Sequence, residues 1–382
     1  MRLIRHIKAS NLLSFGPEGL DLELNDLNVL IGPNGSGKSN FLEIFEVLKS
    51  LPRGEEDRNN LRELISQGGG MDEWVSKINS TRVFQLEIHS VNFGPFWESI
   101  FHHSISVVKS SMIYKEEINE QEEGNIKPLF LRDIGSIFYP DTIYHEKTLS
   151  LKGLSILSNL SNSASVSELS RVYQSIRLYR EWSFGRNTVF RTPQRADQRN
   201  DRLESDFSNL GMVLSRLRKD PLIKRSLVTA LQELYEGITD FEVITEGGTV
   251  QVFFTEGDFS IPATRLSDGT LRYLCLLAIL LDPTPPPLIC IEEPELGLHP
   301  DVLPKIADLL VDASKRTQLI VTTHSDVLID ALSEQPESVL VCEKHEGQTQ
   351  IKRLDRESLS HWLSDYGLGQ LWMRGEIGGK RW

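Results

Sequence analysis

Eight consecutive residues, Gly32-Pro33-Asn34-Gly35-Ser36-Gly37-Lys38-Ser39, satisfy the spacing G-x-x-x-x-G-K-[ST] at every position. Glycines at that spacing let the backbone curl until its N–H groups converge on phosphate oxygens, and a helix that follows adds the positive end of its dipole. Asn34, Gly35, Ser36, Gly37 and Asn40 are therefore candidate phosphate contacts. The Lys38 ammonium would reach the β and γ phosphates, and the Ser39 hydroxyl would bind Mg²⁺. The elements needed to hold such a loop stand on both sides of it. Leu27 to Ile31 is a short apolar run suited to a buried parallel strand, and Asn40 to Leu48 continues with helical spacing. Strand, loop and helix in that order read as a nucleotide site, against the blander alternative of a chance glycine-rich turn.

A second group of residues supplies the opposite charge. Leu288 to Ile291 reads as a buried strand and ends in Glu292-Glu293-Pro294. Carboxylates at the C-terminal end of such a strand suit Mg²⁺ and an attacking water, with Glu292 in the metal shell and Glu293 polarising the water. Alone, the pair could equally be an acidic surface turn. Leu266-Ser267-Asp268-Gly269-Thr270 opens an apolar helix running to Leu281. Ser267, Asp268 and Gly269, with Thr270, would offer hydroxyls and backbone N–H groups to a γ-phosphate, although by itself the run is an N-cap with a turn. Gln318 to Thr322 reads as another buried strand and ends in Thr323-His324-Ser325. A lone histidine there is more often structural than catalytic. At this position His324 could sense the γ-phosphate.

Together and in this order, these elements resemble the ABC-type ATPase heads of the SMC, RecF and OLD families. Gly32 to Ser39 matches the Walker A loop, Leu266 to Thr270 the signature motif, Leu288 to Glu293 the Walker B strand and His324 the switch histidine. Glu295 to Pro300 is similar to the dimer-contacting loop after Walker B. The resemblance implies an α/β fold, a P-loop ABC-type ATPase head with a mostly helical insertion, and ATP and Mg²⁺ as cofactors. It also implies a homodimer or higher oligomer in which the signature of one subunit closes on ATP held by another. The family often has Asp where Glu292 stands. Its Q-loop glutamine has no clear counterpart, Gln67 and Gln85 being the candidates.

Read along the chain, residues 1–92 form an N-terminal lobe with Walker A. Residues 93–240 are an insertion of strands followed by a basic helical lid, 241–353 a C-terminal lobe, and 354–382 a tail. Val83 to Val91 and Ser104 to Tyr114 read as strands, and Lys115 to Glu123 as an exposed charged turn. Cys275, Cys290 and Cys342 sit in apolar segments without metal-ligand spacing and read as buried, reduced thiols of a cytoplasmic protein. No run approaches the roughly 18 apolar residues of a membrane span, and the opening residues lack a signal-peptide pattern.

The formal net charge of −13 argues against a chain that coats nucleic acid, but charge is segregated. Between Arg171 and Arg225 thirteen Lys and Arg meet six Asp and Glu. Arg177, Arg180, Arg186, Arg191, Arg195, Arg199 and Arg202 alternate there with Tyr173, Tyr179, Trp182, Phe184 and Phe190, as a DNA surface would require. The alternative is a lid whose aromatics are core and whose arginines pair with acidic residues. Asp206 to Leu210 is similar to a short motif of small family members, and caps the helix after it. The tail ends in Arg381-Trp382 and carries Trp372, which points to docking on the chain itself or on a partner.

The 228 residues between Lys38 and Ser267 show no sustained heptads, which excludes the long coiled coil of SMC proteins. The 58 residues after His324 are too few for the TOPRIM nuclease of OLD proteins, so a nuclease is expected from a separate effector. Similar tails occur in standalone ATPases encoded beside a TOPRIM-like protein in bacterial defence operons. The expectation is an ATPase switch for such a partner in anti-phage defence. A RecF-like DNA-repair clamp and an ATP-binding scaffold with negligible turnover are the rivals, and an ABC transporter subunit fits less well.

Overall fold

The computed structural model describes residues 2–78, 82–93, 98–108, 111–133, 136–139, 142–145, 153–158, 163–182, 185, 188 and 191–379. The chain divides into two compact units. One is Met1–Ile176 with Glu337–Asp355 and Gly375–Trp382, and the other is Arg177–Pro336 with Arg356–Arg374.

In the first unit the apolar run before the phosphate loop forms the strand Leu27–Ile31, buried throughout. Its one polar residue is satisfied locally, since Asn28 Nδ2 donates to Asn25 O at 2.6 Å and its Oδ1 accepts from Arg353 at 2.9 Å. Val339–His345 pairs with this strand in parallel and Gln348–Arg353 pairs antiparallel with Val339–His345. The helix Lys38–Ser50 buries Phe41, Leu42, Ile44, Phe45, Val47 and Leu48, and Ala164–Ser175 packs on it.

The same unit contains an antiparallel sheet of eight strands in the order Leu20–Glu23, Ile4–Ser10, Val83–Phe93, Glu98–Val108, Met112–Glu122, Asn125–Asp133, Ser136–Tyr139 and Thr142–His145. The run from Ser104 to Tyr114 is thus shared between two strands. The charged stretch after it is strand, not an exposed turn. Glu116 and Glu120 are buried on one face with Ile118 between them. Glu116 is tolerated because the Ser155 hydroxyl and the Ile156 amide donate to it, and because His103 Nε2 lies 3.1 Å away and Arg132 4.0 Å away. The partners come from distant strands and loops, so a charge-run reading misses them.

In the second unit three parallel strands run side by side: Arg177–Tyr179, Leu288–Glu292 and Gln318–Thr322. Register sets Tyr179 against Ile291 and Glu292 against Thr322, which brings the strand ends level. The helix Asp268–Leu280 is buried along almost its whole length, and Leu303–Ser314 and Pro221–Leu234 pack against it. A smaller antiparallel sheet joins Gln194–Arg195, Thr249–Glu256, Ile238–Glu246 and Phe259–Pro262.

Part of the tail docks on this unit. The helix Leu368–Arg374 packs against Asp326–Asp330, Gly369 N donates to Asp330 at 3.1 Å, and Trp372 is buried. Lys380, Arg381 and Trp382 lie outside the described residues. No helix among the described residues is long and apolar enough to cross a membrane. Cys275, Cys290 and Cys342 are buried and outside any disulfide.

Candidate functional site

The phosphate loop is shaped by backbone conformations that side chains resist. Gly32, Gly35 and Gly37 have φ of 146°, 75° and 104°. A Cβ at Gly32 would overlap Cys342 O, and one at Gly37 would overlap Thr349 Oγ1. Lys38, almost wholly buried, donates to Gly32 O at 2.8 Å and Pro33 O at 3.0 Å. Ser36 Oγ is buried with no hydrogen-bond partner, an orphan that a bound anion's oxygens would satisfy. Asn34, Gly35 and Ser39 are exposed at the loop. This cradle fits a nucleotide phosphate.

Two residues that the motif does not contain fix the loop from behind. Asn40 Nδ2 donates to Ser14 Oγ at 2.7 Å, the hydroxyls of Ser14 and Thr349 lie 2.6 Å apart, and Thr349 Oγ1 donates to Ser36 O at 2.8 Å. Burial pushes the Cys342 thiol up to about 12, so it acts as packing and not as a nucleophile.

In the second unit the strand Leu288–Glu292 delivers both candidate carboxylates. Glu292 Oε2 accepts from Arg180 Nε at 2.9 Å, and its carbonyl accepts from Trp182 Nε1 at 2.8 Å. Glu293 has φ of 48°, a left-handed conformation costly for this residue type. It is held there because its amide donates to Thr322 O at 2.9 Å and Arg272 Nη2 donates to its carbonyl at 2.6 Å. The Arg272 guanidinium sits 4.2 Å from the Trp182 ring centre, and Trp182 stacks on Phe207 at 5.0 Å. Burial pushes Arg272 down to about 10.

His324 Nε2 stands 3.6 Å from Glu293 Oε1, and its amide donates to Glu295 Oε1 at 2.6 Å. Burial raises the Glu295 carboxyl above its ordinary value.

Ser267 caps the signature helix, accepting from Thr270 N at 3.1 Å. Asp268 pairs with Arg191 and accepts from Gly185 N at 3.2 Å, so it faces an internal counter-ion. Gly269 lies against the turn after the carboxylates, where an added Cβ would be 2.8 Å from Gly297 O. A cavity of about 960 Å³ opens beside Ser267, Gly269, Thr270, Gly297 and His299.

The basic stretch is largely paired within the chain. Arg171 meets Glu168, Arg180 Glu292, Arg191 Asp268, Arg195 Asp197, Arg199 Asp201 and Arg216 Asp282, while Arg177 is buried. Tyr173 and Tyr179 are core. Arg186, Phe184 and Phe190 lie outside the described residues. Asn209 precedes the helix Leu210–Leu217 but makes no side-chain cap bond to it. It turns back instead, donating to Arg199 O at 2.9 Å and Arg202 O at 2.8 Å. Gln67 ends the helix Leu61–Gln67 and Gln85 lies in the antiparallel sheet, both exposed.

A profile of the family described as "AAA domain, putative AbiEii toxin, Type IV TA system" matches residues 27–330. The chain belongs to this family. Among solved structures this AAA-domain chain is similar to an Smc head domain with an extended coiled coil bound to the C-terminal domain of ScpA, from Pyrococcus furiosus. The TM-score is 0.55 at 13% identity, over 96% of this chain and 99% of that one. A second is an Smc head bound to the C-winged helix domain of ScpA, with TM-score 0.53 and 15% identity over 93% and 99%. A third, an Smc head with coiled coil and joint from Pyrococcus yayanosii, gives 0.52 and 12% over 96% and 99%. No curated protein matches by sequence.

By family the chain is an AAA domain, and by fold it has the expected α/β P-loop architecture, similar to that of Smc heads. The motifs announced most of its candidate site residues. Ser14, Thr349 and Arg272 had no sequence signal, while Arg180 and Trp182 stood out only as part of a basic, aromatic stretch and Glu295 only as part of the loop after the carboxylates, none of them for the contact it makes here.

Proposed function

We propose that this AAA-domain chain binds ATP with Mg²⁺, hydrolyses the ATP, and dimerises around it as a switch for a separate effector protein in bacterial anti-phage defence. The observation that supports turnover most is Glu293, a non-glycine residue held in a left-handed conformation with its carboxylate near His324. Strain of that kind persists where the surroundings over-determine it, as at reacting centres. In this reading Glu293 polarises the attacking water and His324 senses the terminal phosphate. Lys38 and the loop amides carry the phosphate charge, and Ser267, Asp268 and Gly269 meet the nucleotide of a second copy. Bound Mg²⁺ would neutralise phosphate charge, with Ser39 and Glu292 as its protein ligands. A protein effector fits the similarity to Smc heads that bind ScpA domains, and the toxin named in the family description fits a defence role.

The test is steady-state ATP turnover with Lys38→Ala as the blank. Glu293→Gln should lose about 10²- to 10⁴-fold in turnover while keeping nucleotide binding, and light scattering should find it dimeric with ATP. Turnover unchanged by Glu293→Gln would favour the scaffold. Stimulation by duplex DNA that disappears when Arg191 and Arg195 are neutralised would favour the clamp, although ion pairs already occupy both arginines.

A further inference from the structure

The arginine-rich segment that looked like a nucleic-acid surface has a more specific placement. Arg177–Tyr179 lies in parallel beside Leu288–Glu292 with Tyr179 opposite Ile291, so the next residue, Arg180, comes level with Glu292. Its Nε donates to Glu292 Oε2 at 2.9 Å, and two residues on Trp182 Nε1 donates to the Glu292 carbonyl at 2.8 Å. Further along the sequence, Gly185 N and Arg191 both reach Asp268. Arg180 and Trp182 thus hold the candidate metal carboxylate, and Gly185 and Arg191 the first acidic residue of the helix Asp268–Leu280.

We propose that Arg180 is a positioning residue that sets the cation affinity of Glu292. A guanidinium on a carboxylate oxygen neutralises it and repels a dication brought to the same group. A cation at Glu292 therefore competes with its pairing to Arg180, which engages Oε2. Because Arg180 and Trp182 stand two residues apart and both bond Glu292, that exchange also changes the surroundings of the Trp182 indole. The inference rests on the reading of Glu292 as a Mg²⁺ ligand.

The test is a MgCl₂ titration of the full chain with a saturating non-hydrolysable ATP analogue, followed by tryptophan fluorescence, with Trp182→Phe identifying the signal. Arg180→Gln should lower the half-saturating Mg²⁺ concentration about three- to tenfold, the scale of losing one charge-assisted hydrogen bond at a partly exposed site. Arg180→Lys should fall between. Arg216→Gln breaks the unrelated pair with Asp282 and should leave half-saturation at the wild-type value.

The sign separates this role from a structural one, because an arginine needed only to hold the strand end would weaken Mg²⁺ binding on removal. Half-saturation that is unchanged or raised in Arg180→Gln overturns the proposal, as does a wild type whose Trp182 signal ignores Mg²⁺. Turnover of wild type against Lys38→Ala decides the ATPase reading separately. A Mg²⁺ response without turnover would leave Arg180 in its role and remove hydrolysis alone.

Discussion

The phosphate loop and the carboxylate end solve the same problem in opposite ways. Both must hold charged groups in a fixed place without a ligand. In the loop, Lys38 is satisfied by carbonyls five and six residues before it, and the shape comes from glycines within the motif. At the carboxylate end, Glu292 is held by Arg180, 112 residues away in sequence, and Glu293 by Arg272, 21 residues away. A site built from local backbone tolerates change around it but little within it. One built from remote side chains stays adjustable through residues that never touch the ligand, as the contacts of Arg180 and Arg191 illustrate.

The sharpest way to break that contrast is to place the same methyl group in each half. Gly37→Ala forces a left-handed residue and drives a Cβ into Thr349. It should cost about 2–4 kcal/mol in stability and remove nucleotide binding. Gly269→Ala needs no left-handed backbone and makes one close contact, with the Gly297 carbonyl 2.8 Å away, which must shift. We expect about 1 kcal/mol from it, with nucleotide binding by the loop retained. Urea unfolding and nucleotide titration of both variants measure this, and equal losses would mean that the two ends are equally rigid.

Legibility in the sequence follows the same division. The loop was readable because its glycines, lysine and strand-to-helix context are contiguous, and the buried strands Leu288–Glu292 and Gln318–Thr322 were readable from apolar runs ending in polar residues. The signature was legible as an N-cap, which Ser267 is. The strand Arg177–Tyr179 was not, because three residues reading Arg-Leu-Tyr carry no period and their burial comes from pairing with Leu288–Glu292. For the same reason the arginines read as a surface, when most of the described ones meet carboxylates. Glu116 shows the limit most plainly, since its burial depends on His103, Ser155 and Arg132 converging from three separate segments.

The loop's one dependence on remote residues gives a smaller, more exact test. Thr349→Val keeps the shape but removes the hydroxyl that bonds Ser36 O, 313 residues away, and that meets Ser14. Taking that donor from the buried Ser36 carbonyl, while Ser14 keeps its bond from Asn40, should cost about 1–3 kcal/mol in urea unfolding and weaken nucleotide binding several-fold. If Thr349→Val binds nucleotide like wild type, the loop is self-sufficient and the contrast between the two halves becomes stronger.

The smallest effect concerns charge kept at the carboxylate end against its own stability. Burial raises the Glu295 carboxyl, so ionising it in the folded chain is disfavoured. A folded pKa above the unfolded one contributes stability that is complete below the unfolded value, 4.5, and is lost as pH rises through the folded value. Glu295→Gln should therefore melt higher than wild type at pH 8, because its amide oxygen can still accept from His324 N while no charge is buried. The difference should shrink as pH falls toward 4.5, where wild type carries the proton itself. Melting curves at three pH values decide the point. A variant that melts lower than wild type at pH 8 but not near pH 4.5 would show that the ionised carboxylate stabilises the His324 turn, so that this end of the molecule, like the phosphate loop, keeps its charge at no cost to the fold.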